Sequence, residues 1–234
     1  MNILLNIFLI NFSCVVTNVY GIWNLFGTES KVTLSTNVEI KGKIYTLSSG
    51  KQYAAFMGIP YARAPVKELR FEPPVMNEIK QTIQAKKLGN PCVQEKDGEL
   101  SGKEDCLFLN VYTSWPLDGQ KKYPVMFYIH GGAFSKGDGG WQYYGADYLL
   151  EQDVIVVTIN YRLGVFGFLT APDLQIYGNM GLKDQVINKN KNVIITQLHQ
   201  ILDKKVFILV TSKSAFLKSY YFHLRNGFLS RTTG

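Results

Sequence analysis

Tyr128-Ile-His-Gly-Gly-Ala-Phe134 is an apolar run that ends abruptly in glycines. With Pro124 to Ile129 just upstream, it predicts a strand whose carboxyl end opens into a loop bare of side chains at Gly131 and Gly132. Backbone N–H groups in such a loop are unshielded and free to point at a ligand, which is what a developing oxyanion needs. Losing one donor of that kind typically costs about 3 kcal/mol of transition-state stabilisation. A tight turn after a strand would use the same residues, so the surroundings decide between the two.

Two further apolar runs flank this one, Cys106 to Tyr112 before it and Val154 to Asn160 after it. Continuous apolar runs suit strands covered on both faces, as in a mostly parallel sheet. Within Trp141 to Gln152, Tyr144, Tyr148 and Leu149 fall at helical spacing, which predicts a strand-helix-strand crossover. Phe207 to Val210 predicts another strand after weak helical periodicity over Ile194 to Lys205. Nearer the amino terminus, Lys31 to Leu47 alternates apolar and polar residues and predicts a β-hairpin turning at Lys41-Gly42-Lys43. Tyr53 to Pro60 predicts a strand, and Arg63 to Asn90 a surface loop with one helical turn.

With 234 residues, 46% of them hydrophobic, the chain can bury a substantial core. The net charge of +7 is confined to one end: from Val186 onward eight basic residues face Asp203 alone, and the rest is neutral. A charge so confined argues against a nucleic-acid-binding surface and marks a compositional break. At the front, Ile3 to Val16 is apolar apart from Asn6, Asn11 and Ser13, with small-residue sites near Val19 to Gly21. This is the pattern of a signal peptide, and it is shorter than the roughly 20 apolar residues of a membrane helix. A buried N-terminal strand is the alternative, since no Lys or Arg stands in the first few positions. With Cys14 removed, Cys92 and Cys106 remain as a pair bracketing a polar loop, which an oxidising compartment would close as a disulfide. Two unrelated buried thiols would leave the same count.

Five strings now line up in order: Gly58-Ile-Pro-Tyr-Ala-Arg-Ala-Pro-Val-Lys-Glu-Leu-Arg-Phe71, Glu104-Asp-Cys-Leu-Phe-Leu-Asn-Val-Tyr112, His130-Gly-Gly-Ala-Phe134, Asn160-Tyr-Arg-Leu-Gly-Val-Phe-Gly-Phe168 and Gly178-Asn-Met-Gly-Leu-Lys-Asp-Gln185. In sequence and spacing they resemble the type-B carboxylesterase and cholinesterase family, most of all its insect-type carboxylesterases. The resemblance runs from about Lys31 to Gln185. It implies that Gly132 and Ala133 are oxyanion donors, with Gly131 allowing close approach. It also implies a disulfide between Cys92 and Cys106, and two buried scaffold ion pairs, Arg70 with Glu104 and Arg162 with Asp184.

The family's nucleophilic serine sits in Gly-x-Ser-x-Gly, on a strained strand-to-helix turn, and no such string occurs here. An ungapped count from Asp184-Gln185 arrives at Ser212. Two inserted residues instead align Ser212-Lys-Ser-Ala-Phe216 with the motif, making Ser214 the nucleophile and Ala215 the third oxyanion donor. They also align Ser219-Tyr-Tyr-Phe-His-Leu224 with a family helix. The elbow glycines have become Ser212 and Phe216, and none of His130, His199 and His223 stands where a triad base would.

The chain therefore divides into a signal peptide at 1–21, the N-terminal part of a carboxylesterase domain at 22–185, and a degenerate continuation at 186–234. The expected fold is an incomplete α/β-hydrolase: an N-terminal β-hairpin and the first part of a mostly parallel central sheet. The resemblance implies a secreted serine esterase that acts through an acyl-enzyme on a small-molecule carboxylic ester, poorly active or inactive as this chain stands. The alternative is a non-catalytic, esterase-like secreted binding or adhesion protein. No cofactor and no metal is expected, since the three His and three Cys lack ligand spacing and no Gly-rich phosphate loop occurs. Neither nucleic acid nor a membrane span after signal removal is expected.

Overall fold

A computed structural model describes residues 29–34, 37–116, 123–140 and 147–190, and the strands 202–210, 222–225 and 228–231. The signal segment, Cys14, His199, Ser214 and Ala215 lie outside the described residues.

The chain opens with an antiparallel meander of β1 (Glu29–Thr33), β2 (Glu39–Thr46) and β3 (Gln52–Pro60). The expected hairpin is present, but it turns at 34–38 and not at Lys41-Gly42-Lys43. Leu34 and Val38 close the turn with a 2.8 Å backbone bond, and Asn37 takes the left-handed conformation (φ 60°) that asparagine tolerates. Gly42 lies inside β2 opposite Ser30. A Cβ there would fall 2.5 Å from the Ala55 carbonyl and 2.7 Å from the Phe56 ring, so this glycine serves close approach of strands.

After β3 the loop from Arg63 makes the expected single turn, a 3-10 segment at Lys67–Leu69. Ile83–Gln84 (β4) then adds a short parallel pairing on β2. The small hairpin of β5 (Gln94–Lys96) and β6 (Glu99–Ser101) stands between Cys92 and Cys106, which are disulfide-bonded.

The central strands are β7 (Phe108–Ser114), β8 (Tyr123–Ile129) and β9 (Ile155–Ile159), with helix α1 (Asp147–Leu150) between β8 and β9. Strands β8 and β9 pair in parallel, so the predicted crossover is there. Leu202–Val210 forms a strand parallel to β8, as expected of Phe207 to Val210. The first of the three apolar runs, β7, lies antiparallel to both β3 and β9. An apolar run reports burial on both faces and carries no information about strand direction.

Both faces are indeed covered. Leu109, Val111, Phe127, Val157 and Ile159 belong to the large core on one side. Tyr112 and Val156 pack on the other with Tyr53 and with Leu150 of α1. Beyond β9 come α2 (Gly164–Phe168), the two-residue strands β10 (Thr170–Ala171) and β11 (Ile176–Tyr177), and α3 (Met180–Asn190). The strand at Leu202–Val210 is β12, and the sheet order is β1-β2-β3-β7-β9-β8-β12. A hairpin of β13 (Phe222–Arg225) and β14 (Phe228–Arg231) follows. His223 is thus on a strand and not on the helix that the alignment of Ser219 to Leu224 implied; Phe222 and Phe228, which favour strands, flank Asn226-Gly227, a strong hairpin-turn sequence. No helix among the described residues is long and apolar enough to cross a membrane.

Candidate active site

The carboxyl ends of parallel strands β8 and β9 lie side by side, with Ile129 opposite Ile159. In open α/β sheets ligands bind beyond this end. The loop leaving β8 runs from His130 to Gly140, and the segment leaving β9, from Asn160 to Gly164, cradles it. Tyr161 Oη donates to the His130 carbonyl (2.9 Å), the Gly164 N–H to the Phe134 carbonyl (2.7 Å), and the Gly139 N–H to Asn160 Oδ1 (2.7 Å). On the sheet face beneath, buried Asn110 and Thr158 are paired across β7 and β9 and both donate to the Gly139 carbonyl (3.1 and 2.6 Å). These polar groups interrupt apolar strands because each satisfies loop backbone that would otherwise be buried without a partner.

The glycine stretch itself is held in unusual backbone. Gly132 has φ 120°, followed by Ala133 at 53° and Phe134 at 59°. A Cβ on Gly132 would run into the Lys136 carbonyl, so both its torsion and its surroundings require glycine. The Gly132 carbonyl accepts from the N–H of Ser135 (3.0 Å), the N–H of Lys136 (3.1 Å) and Ser135 Oγ (3.1 Å). The Gly131 carbonyl lies 2.8 Å from His130 Nδ1, a contact that makes Nδ1 the protonated nitrogen.

These two anchored carbonyls orient the donors. A trans peptide places its N–H opposite its C=O, so fixing the Gly131 carbonyl aims the Gly132 N–H, and fixing the Gly132 carbonyl aims the Ala133 N–H. Among the described residues neither N–H has a protein acceptor. The pair can therefore stabilise negative charge without first breaking a bond.

His130 is 1% exposed and stacks on Tyr161 with ring centroids 4.4 Å apart. Burial pushes its pKa below the ordinary value, opposed by the Gly131 carbonyl and by Asp138. A neutral imidazole with Nδ1 committed to backbone is a strut for the loop and is not placed as a base. The sequence reading gave His130 only a place in the motif, and missed Tyr161, Asn110, Thr158 and Asn160 as supports, since their roles rest on loop carbonyls that no sequence pattern locates.

The two ion pairs differ. Arg162 and Asp184 are 2% and 0% exposed, with bonds from Arg162 Nε (2.9 Å), Nη2 (2.8 Å) and backbone N–H (3.0 Å) to the carboxylate. Nη1 of Arg162 donates to the Arg70 and Glu72 carbonyls, tying α3 and the loop after β3 to the segment leaving β9. Burial raises the Asp184 pKa and the Arg162 bonds oppose that. Arg70 and Glu104 form a bidentate pair, with Nη2 to Oε1 at 2.9 Å, but their side chains are 42% and 22% exposed, so this pair sits at the rim and is not buried as the resemblance implied. No group of three His, Cys, Asp or Glu side chains among the described residues could hold a metal.

Comparison with known proteins bears on this geometry. The sequence model described as the carboxylesterase family matches residues 28–188. Juvenile hormone esterase of Tribolium castaneum is 42% identical over 151 residues, 62% of this chain and 26% of that protein. The cAMP-regulated D2 protein of Dictyostelium discoideum is 33% identical over 232 residues, 95% of this chain and 40% of that one. The crystal structure of juvenile hormone esterase from Manduca sexta, with OTFP covalently attached, aligns with a TM-score of 0.70 at 32% identity over 79% of this chain and 36% of that chain. The chain thus spans between a quarter and two fifths of the length of these relatives.

Proposed function

The chain belongs to the carboxylesterase family, with an α/β-hydrolase fold, and on that premise we propose that it is the oxyanion-hole part of a secreted carboxylic ester hydrolase. The carrying observation is the pair of anchored peptides whose Gly132 and Ala133 N–H groups have no acceptor among the described residues. Ser214 is proposed as the nucleophile and Ala215 N–H as a third donor. Oγ of Ser214 would attack the ester carbonyl carbon while Gly132 and Ala133 take the charge on its oxygen. The alcohol then leaves with a proton, and water hydrolyses the acyl-enzyme to the free acid. Gly131, lacking a side chain, keeps the approach open. Relatives named juvenile hormone esterase make a hormone ester the substrate class to try first. The disulfide between Cys92 and Cys106 accords with an oxidising, extracellular destination.

A second reading, an esterase-like binding protein, draws on one observation: Ser212-Lys-Ser-Ala-Phe216 lacks both glycines of a nucleophile elbow. Hydrolysis of 4-nitrophenyl acetate and labelling by a fluorophosphonate, each with Ser214→Ala as control, separate the two. The esterase reading expects a mass gain on Ser214 and a slow turnover, both lost in Ser214→Ala. A folded protein that neither labels nor turns over would leave only the binding reading.

A further inference from the structure

We propose that Gln94, on the disulfide-closed hairpin, is a positioning residue for the oxyanion loop. The proposal rests on the esterase reading for its catalytic consequence and on geometry for the coupling itself. Gln94 Oε1 accepts the Gly137 N–H at 2.8 Å, and Gln94 Nε2 donates to the Gly137 carbonyl at 3.0 Å. One side-chain amide thus satisfies both backbone groups of one loop residue, as a neighbouring strand would. Nε2 also donates to the Cys92 carbonyl at 3.0 Å, which locks the amide against the disulfide.

What Gly137 touches makes this more than a surface tie. It has φ 118°, and a Cβ on it would collide with His130 Nδ1 and lie 2.7 Å from the Gly131 carbonyl. Gly137 backbone is therefore packed against the histidine-carbonyl contact that aims the Gly132 N–H. The chain of contacts runs from the Cys92–Cys106 hairpin through Gln94 and Gly137 to His130 and the Gly131 carbonyl. Each contact is a hydrogen bond or a backbone in tight packing, so little slack separates its ends. Without the Gln94 amide, Gly137 loses its partners and the ring loses its wall.

The test is amide hydrogen exchange on the full chain, followed at Lys136 and Gly164, whose N–H groups donate to the Gly132 and Phe134 carbonyls within the loop, with β8 amides as internal reference. In Gln94→Ala, exchange at both reporters should rise about tenfold while β8 is unchanged. Gln94→Glu, which keeps the acceptor and loses the donor, should fall between wild type and Gln94→Ala, and carries the test should Gln94→Ala fail to fold. Unchanged reporters would overturn the proposal, and so would equal acceleration at β8, since that marks general destabilisation. Where ester turnover is present, kcat should drop about tenfold with KM held within about twofold, the signature of an interaction realised in the transition state. Absence of turnover in the wild-type chain together with the exchange difference would remove the esterase reading and leave the loop coupling standing.

Discussion

The Gly132 and Ala133 N–H groups owe their direction to carbonyls held by His130 and by Ser135 and Lys136, so changes at single residues should be read there. Gly132→Ala places a methyl on the Lys136 carbonyl; ester turnover is expected to fall on the order of a hundredfold, with far-ultraviolet dichroism unchanged. His130 gives a pH dependence. Its folded pKa is depressed by burial, so as pH falls below its ordinary value of about 6.5 the unfolded chain binds the proton first and stability drops. Melting temperature measured from about pH 7 down to about pH 5 should decline, and His130→Gln should flatten that slope. The ion pairs should separate equally clearly. Asp184→Asn leaves the Arg162 guanidinium buried without its counter-charge, a loss of about 3–5 kcal/mol in urea unfolding, whereas Glu104→Gln at the exposed pair should cost under about 1 kcal/mol. Both pairs were legible as pairs from the strings around them. Their burial was not, because it depends on what Nη1 of Arg162 reaches across the sheet.

Among the elements, the disulfide hairpin and the first β-hairpin show where local sequence falls short. Polar β5 and β6 bury little apolar surface and are held by the link from Cys92 to Cys106, 14 residues apart. Cys106→Ala is expected to lower unfolding free energy by about 3 kcal/mol by the loop-closure estimate, and, through Gln94, to loosen the loop after β8. Gly42→Ala should cost on the order of 1–3 kcal/mol from crowding against β3, measurable as a lower melting temperature. Lys41-Gly42-Lys43 looked like a turn because glycine between lysines is a usual turn signal, yet here the glycine answers to β3, a strand ten residues further on. The hairpin of β13 and β14 has a local signal in Asn226-Gly227, and the likeness of Ser219 to Leu224 to a family helix points the other way.

At the scale of the whole molecule, β12 closes the order of the sheet and among the described residues pairs with β8 alone. Leu174, Tyr177, Val165 and Phe134 stand 72, 70, 63 and 50% exposed. Large apolar groups so exposed favour association, so light scattering of the protein should show concentration-dependent oligomers; a monomer at all concentrations with a sharp cooperative melt would refute this. The sequence by itself determined the family, the apolar strands, the disulfide partners and the glycine loop, since each is written in neighbouring residues or in strings whose spacing is fixed. Tertiary structure alone decided that β7 runs antiparallel between β3 and β9, that Arg162–Asp184 is buried while Arg70–Glu104 is not, and that His130 and Gln94 brace the loop. Strand direction, burial and the partner of a backbone carbonyl are set by residues distant in the chain, and a pattern of period two or of bare glycines holds no record of them.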